Sequence, residues 1–193
     1  MIASLRGTVE SLSSDFAIIN VNGVGFKVYM PTSVLSTLGR IGEEVRLHTH
    51  LHLKEDEATL YGFGSADELT LFQTLISVSG LGPKMGLAML SAMTVDQVVM
   101  AIATGSADLL IRVPGIGRKM ADRIILELKE KIGTGLITTP AAQLAQENSD
   151  VLGALTSLGY SISEASRAVA TLPPSSDMPL EEKIKLALQY FGG

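Results

Sequence analysis

The sequence has no cysteine and no tryptophan, and aromatic residues make up 5% of its 193 positions. Without cysteine there is no disulfide, no thiolate nucleophile, no cysteine zinc site and no iron–sulfur cluster. No uncharged apolar run reaches the roughly 18 residues of a membrane span. The opening MIASLRGTVE lacks the apolar stretch of an export signal. A cytoplasmic protein away from membranes is the expectation. A GxxxxGK[ST] phosphate loop is also missing, so the chain does not bind and spend ATP in that way.

What is present is enough apolar material for cores, 46% of residues, in a chain long enough for two or three small domains. The net charge of −5 is spread unevenly. Residues 1–70 carry 5 cations and 9 anions, residues 71–135 carry 7 and 5, and residues 136–193 carry 3 and 6. Only the middle is positive. A local basic surface can bind phosphate while its surroundings stay acidic, with strong salt dependence.

That middle section contains one motif written twice. LISVSGLGPKMGLAML starts at Leu75, and LIRVPGIGRKMADRII starts 35 residues later at Leu110. In register, Val78 meets Val113, Gly80 meets Gly115, Gly82 meets Gly117, Lys84 meets Lys119 and Met85 meets Met120. Each copy reads as a helical run, a Gly-apolar-Gly turn and a second helix opening on a basic residue. Glycine takes positive φ without a clash and lets another backbone come close. The helix that follows starts with unpaired N–H donors and the positive end of its dipole, which together suit phosphate. Pro83 fits a first-turn position, where its missing donor costs nothing. The expected backbone-binding set is Gly80, Gly82 and Lys84 with Gly115, Gly117, Arg118, Lys119 and Arg123. Lys119 and Arg123 are one turn apart and share a face. Such contacts position a protein on DNA without reading bases. A Gly-apolar-Gly turn can also simply join two packed helices; its recurrence in register, with lysine at the same offset, favours nucleic acid.

Before the repeat, residues 1–63 read as β. Phe16, Ile18 and Asn20 alternate with Ala17, Ile19 and Val21, Asn22-Gly23 signals a type I′ hairpin, and Val24, Phe26, Val28 and Met30 continue with period two. Pro31-Thr32-Ser33 breaks the strand and opens a short helix to Leu38. Val45, Leu47, Thr49, Leu51 and Leu53 alternate again, and Thr59 to Phe63 completes a further strand. About five short strands suggest a small barrel such as an OB-fold. Phe16 and Phe26 fall in step with apolar neighbours and read as core. An acidic barrel without tryptophan is unsuited to stacking single-stranded bases, so scaffolding or self-association is expected of it. His48, His50 and His52 share one strand face with Arg46 and Lys54. They are either metal ligands or a polar outer face opposite the leucines, and the second is expected because nothing fixes a further ligand. Lys54-Glu55-Asp56-Glu57 forms a tip between strands. Its carboxylates could hold a hard cation for nuclease chemistry, be a solvated turn, or repel phosphates and so select DNA geometries that leave the tip room.

From Asp67 the period becomes helical, and Leu71, Phe72, Leu75, Ile76, Met85, Ala88 and Met89 frame the first hairpin. Thr94 with Gln97 reads as a capping box, and Ser106 as the cap of a short helix. The helix from Arg118 is expected to bury Ala121, Ile124, Ile125 and Leu128 and to stop by Gly133. Leu126 lies off that stripe, an exposed leucine or a contact for another subunit. Residues 134–148 read as a flexible linker. Beyond it, Val151, Leu152, Leu155 and Leu158 form a stripe, Gly159 is a natural C-cap, Ser161 and Glu164 form a capping box, and Leu180, Ile184, Leu188 and Phe191 mark a third helix. So small a bundle has a thin core and suits a tethered docking module. The expected class is α+β multidomain: an OB-fold barrel with its acidic tip over 1–64, an all-α tandem helix-hairpin-helix domain over 65–133, and a three-helix, UBA-like bundle over 149–193.

This order of parts resembles the bacterial RuvA family over essentially all 193 residues. The resemblance rests on MIASLRG at the start, VNGVGFKVYMP at 21–31, KED at 54–56, LYGF at 60–63, GLGPK at 80–84, PGIGRKMADRIILELK at 114–129 and ALTSLGYSISEASRAV at 154–169. It implies a Holliday-junction-binding, non-catalytic subunit of a branch-migration complex, in which a tetramer holds a four-way junction open and flat. It further implies that Glu55 and Asp56 are an acidic pin at the crossover. Leu158 and Tyr160 would contact the RuvB ATPase, and Leu126 would join tetramers into an octamer. The RuvC resolvase would be a further partner, and no metal or cofactor belongs to this chain, ATP being used by the motor. Rival classes are a metal-dependent junction nuclease using Glu55, Asp56 and a histidine, a base-excision glycosylase, and a general duplex binder. The glycosylase would need a base-sized pocket and a catalytic acid or lysine beside a single motif.

Overall fold

The computed structural model describes residues 2–133, 148–172 and 178–191. The linker expected over 134–148 lies outside the described residues except for Asn148. By compactness the chain falls into two units, Met1–Val95 and Asp96–Gly193. The first copy of the repeat therefore belongs with the barrel and the second with the C-terminal helices.

In the first unit, strands β1 (Ser4–Leu12), β2 (Phe16–Val21), β3 (Val24–Tyr29), β4 (Glu44–Leu53) and β5 (Ala58–Phe63) close into a barrel in the order β1-β2-β3-β5-β4. The β3–β5 pairing is parallel and the other neighbours are antiparallel. The β2–β3 turn has positive φ at both central residues, 51° at Asn22 and 89° at Gly23, as a type I′ hairpin requires. Alternation fills the interior with Leu5, Val9, Ala17, Ile19, Val28, Leu47 and Leu60. Phe26 packs partly against this core, as expected. Phe16 does not. Ala17 and Ile19 are the buried pair of β2, so Phe16 sits on the outer face, 5.8 Å from the Tyr29 ring with the Lys27 ammonium 4.2 Å above it. Both faces of β2 are apolar, and a small barrel took the set that includes alanine.

Helix α1 (Thr32–Thr37) follows β3 and docks on α3 (Pro83–Ala92), the Thr32 N–H donating to Ser91 Oγ at 3.0 Å and Ser33 Oγ to the Leu90 carbonyl at 3.1 Å. Helix α2 (Ala66–Ile76) begins with a capping box that periodicity does not suggest: Ser65 Oγ accepts from the Glu68 N–H, and the Glu68 carboxylate accepts from the Ser65 N–H. Phe72 of α2 is fully buried, its ring 5.3 Å from Tyr61 and 4.8 Å from Phe63 of β5, which seats the helix on the barrel.

The second unit contains α4 (Val95–Ala103), α5 (Ala107–Leu110) and α6 (Arg118–Gly133), then α7 (Ser149–Ser157), α8 (Ile162–Ala170) and α9 (Leu180–Gln189). Helix α4 starts directly after Thr94. Ser106 occupies the N-cap position of α5 but makes no capping bond; its hydroxyl is instead 2.9 Å from that of Thr104. Ala121, Ile124 and Leu128 of α6 are buried, and Ile125 is half-buried. The C-terminal core consists of Val151, Leu152, Leu155, Ala165, Ala168, Val169 and Ala187, joined by Met100 of α4. Leu158 leaves the expected stripe. It sits where α7 ends and is 61% exposed, because Gly159 at φ 97° turns the chain away. The Gly159 N–H donates to the Thr156 carbonyl and the Tyr160 N–H to the Leu155 carbonyl, a Schellman cap. Leu180, first in α9, is also exposed, while Ile184, Leu188 and Phe191 pack on the core.

Candidate nucleic-acid interface

The two copies of the repeat fold alike, bond for bond. In the first, the N–H groups of Val78, Leu81, Met85 and Gly86 donate to the carbonyls of Leu75, Val78, Gly82 and Gly82 at 3.0–3.1 Å. In the second, those of Val113, Ile116, Met120 and Ala121 donate to Leu110, Val113, Gly117 and Gly117, again at 3.0–3.1 Å. The apolar residue between the glycines is the anchor. Leu81 and Ile116 are 3% and 4% exposed, so each turn is pinned from below while its glycines stay exposed.

The glycines of each turn do different work. Gly80 and Gly115 have φ of 85° and 90°, a left-handed geometry that a side chain resists. Gly82 does not need this freedom: it is the extended N-cap of α3, at φ −84° and ψ 170°. A Cβ placed on Gly82 or on Gly117 would meet no protein atom within 4 Å. Among the described residues nothing explains glycine there. Glycine at both positions leaves the starts of α3 and α6 uncovered by a side chain.

Charge lies beside both turns. Lys84 and Lys119 are exposed and carry no ion pair among the described residues. Arg123 is half-buried one turn beyond Lys119. Arg118, expected to bind the backbone, is ion-paired within the chain. Its Nη1 lies 2.5 Å from Asp108 Oδ1 of α5, and its Nε 3.5 Å from Asp122 Oδ1 of α6. Asp122 is legible from the sequence as an i,i+4 partner. Asp108, across the turn, is not.

The acidic tip is tighter than the run of charges suggests. The Lys54 N–H donates to the Glu57 carbonyl at 2.8 Å and the Glu57 N–H returns to the Lys54 carbonyl at 3.4 Å, so Glu55 and Asp56 alone cap the β4–β5 hairpin. Both are exposed. The Glu57 carboxylate turns back along the strand and accepts from Thr59 Oγ1 at 2.9 Å.

The histidines line the outer face of β4. Among the described residues no group of three or more potential ligands is placed to hold a metal. His50 packs edge-on to Phe72, ring centroids 5.6 Å apart, with Gln73 Nε2 3.4 Å from its Nδ1. Burial, and secondarily the charge of His52, hold the His50 pKa below the usual histidine value. The unfolded chain therefore takes up this proton first as pH falls. Stability of the first unit should decline below about pH 6.5 toward the folded-state pKa, and His50→Gln should flatten that part of a pH-dependent denaturation curve.

Leu126 on α6 is 80% exposed. Tyr160, unlike Leu158, is half-buried, its ring stacked 4.0 Å from that of Phe191. Among the described residues no single helix is long and apolar enough to cross a membrane.

Three family models match the chain: RuvA N terminal domain over residues 1–62, SAM-like Helix-hairpin-helix tandem over 72–130, and RuvA, C-terminal domain over 146–191. The Holliday junction branch migration complex subunit RuvA of Dehalococcoides mccartyi (strain CBDB1) is 52% identical over 191 residues, covering 99% of this chain and 98% of that protein. The subunit of the same name from Herpetosiphon aurantiacus is 45% identical over 196 residues, covering all of both chains. That of Pseudomonas entomophila is 38% identical over 200 residues, covering 98% of each.

Proposed function

This chain belongs to the RuvA family, and we propose that it is the non-catalytic subunit that binds Holliday junctions within a branch-migration complex. One observation carries the reading: a turn repeated within one chain with the same hydrogen bonds, whose Gly82 and Gly117 face no protein atom. Each turn is a backbone grip built from helix N–H groups and a lysine, blind to sequence. The division of labour follows the chain. Residues 1–64 form the barrel and present Glu55 and Asp56 as the pin, residues 65–133 grip duplex arms, and residues 149–193, joined through 134–148, dock the motor.

Four copies would present eight grips to four arms, with four acidic tips meeting at the crossover. Attraction along the arms and repulsion at the centre favour an open, flat junction whose strands can exchange. Exposed Leu158, with Tyr160 beside it, is the contact for the RuvB ATPase, which supplies the work. Leu126 is the contact for a second tetramer, and RuvC is a further partner. The chain works in the cytoplasm without metal or cofactor.

Competition between a four-way junction and linear duplex of equal length tests the reading, with labelled junction and magnesium in a parallel arm. Preference for the junction without cleavage supports it. Equal affinity would favour a general duplex binder, and specific cleavage a nuclease. Lys119→Glu should weaken binding to any duplex arm and reduce the salt dependence by about one unit of log–log slope for each phosphate the variant no longer neutralises.

A further inference from the structure

The two grips share their turn hydrogen bonds and differ in charge. Arg118 opens α6 directly after Gly117, and carboxylates from both helices of its hairpin flank it: Asp108 before the turn and Asp122 after it. The positions 35 residues earlier are Gln73, Pro83 and Leu87, which carry no charge. We propose that Asp108 and Asp122 hold the charge of Arg118 in reserve and so weaken the second grip, leaving stable binding to depend on several grips engaging together. This rests on the junction-binding reading above.

Exposure argues against a structural role for these pairs. The Asp108 and Arg118 side chains are 80% and 63% exposed, and ion pairs so solvated contribute little to holding two helices together. Their standing charge, in contrast, remains when DNA arrives. A phosphate approaching the α6 N-terminus meets two carboxylates beside the guanidinium and must displace them before Arg118 can add to its binding. A weak grip changes what the assembly can distinguish. When each contact is strong, one duplex arm is enough to hold the protein; when each is weak, the number of arms held at once decides.

The test is the Asp108→Asn, Asp122→Asn double variant, measured against linear duplex and a four-way junction over a salt series. Affinity for linear duplex should rise about three- to tenfold, its salt dependence should steepen by up to about one unit of log–log slope per engaged chain, and the junction-over-duplex ratio should shrink. Arg118→Ala should cost more affinity in the double-Asn background than in the wild-type chain, a coupling read from the mutant cycle. If the carboxylates instead brace the hairpin, the double-Asn variant binds more weakly, which overturns the proposal. Unchanged affinity, or an equal cost of Arg118→Ala in both backgrounds, overturns it as well. Failure of the underlying reading shows separately, as a wild-type chain with no junction preference.

Discussion

Gly82→Val with Gly117→Val should still fold and fail to hold DNA. Neither position has positive φ, and a Cβ at either meets no protein atom within 4 Å, so the thermal midpoint should fall only by the poorer N-cap that valine makes. The branched side chains would stand where a phosphate must come to reach the N–H groups of α3 and α6. Charge-assisted hydrogen bonds are worth about 1.5–3 kcal/mol each, so disabling both grips should lower affinity for junction and duplex alike by at least about 100-fold. Gly80→Ala with Gly115→Ala makes the contrast. There φ is 85° and 90°, and the cost should fall on the fold, about 1 kcal/mol or more per site. Thermal denaturation beside equilibrium binding separates the pairs. Undiminished junction capture by the valine variant would remove the basis for calling these turns grips.

The second large effect is expected at the tip. Glu55→Lys with Asp56→Lys replaces two anions by two cations at the only two residues capping the β4–β5 hairpin. Affinity for plain duplex should rise about tenfold or more at low salt, because phosphates that were repelled are now attracted. Discrimination in favour of the junction should fall correspondingly, and motor-driven migration should slow. Glu57→Lys should do much less, since that carboxylate lies back against Thr59 rather than at the tip. A tip variant that kept full discrimination would mean that junction geometry is sensed elsewhere.

Much of this is legible in the sequence, for reasons that differ by element. The two turns can be read because a local motif is duplicated: Leu81 and Ile116 have to point the same way, and they are both buried. The barrel can be read from period two and the Asn22-Gly23 turn. Phe16 cannot, because β2 is apolar on both faces and alternation does not say which face turns inward. Gly82 and Gly117 look like Gly80 and Gly115 in the sequence, which does not show that the latter pair takes positive φ and the former does not. Arg118 reads as a free cation because its partner Asp108 becomes a neighbour only once the turn between α5 and α6 has formed. Leu158 continues a helical stripe on paper, but the helix ends there. Met100, far from the C-terminal helices in the chain, gives no sign in the sequence of belonging to their core.

The ring of five strands also limits how copies of this protein can meet. Each strand has a hydrogen-bonded neighbour on both sides, β3 meeting β5 only at Val28 and Tyr29, so no strand of the barrel offers a full-length open edge to a foreign strand. Addition of a whole strand is blocked at the barrel, which guards this part of the chain against runaway sheet stacking.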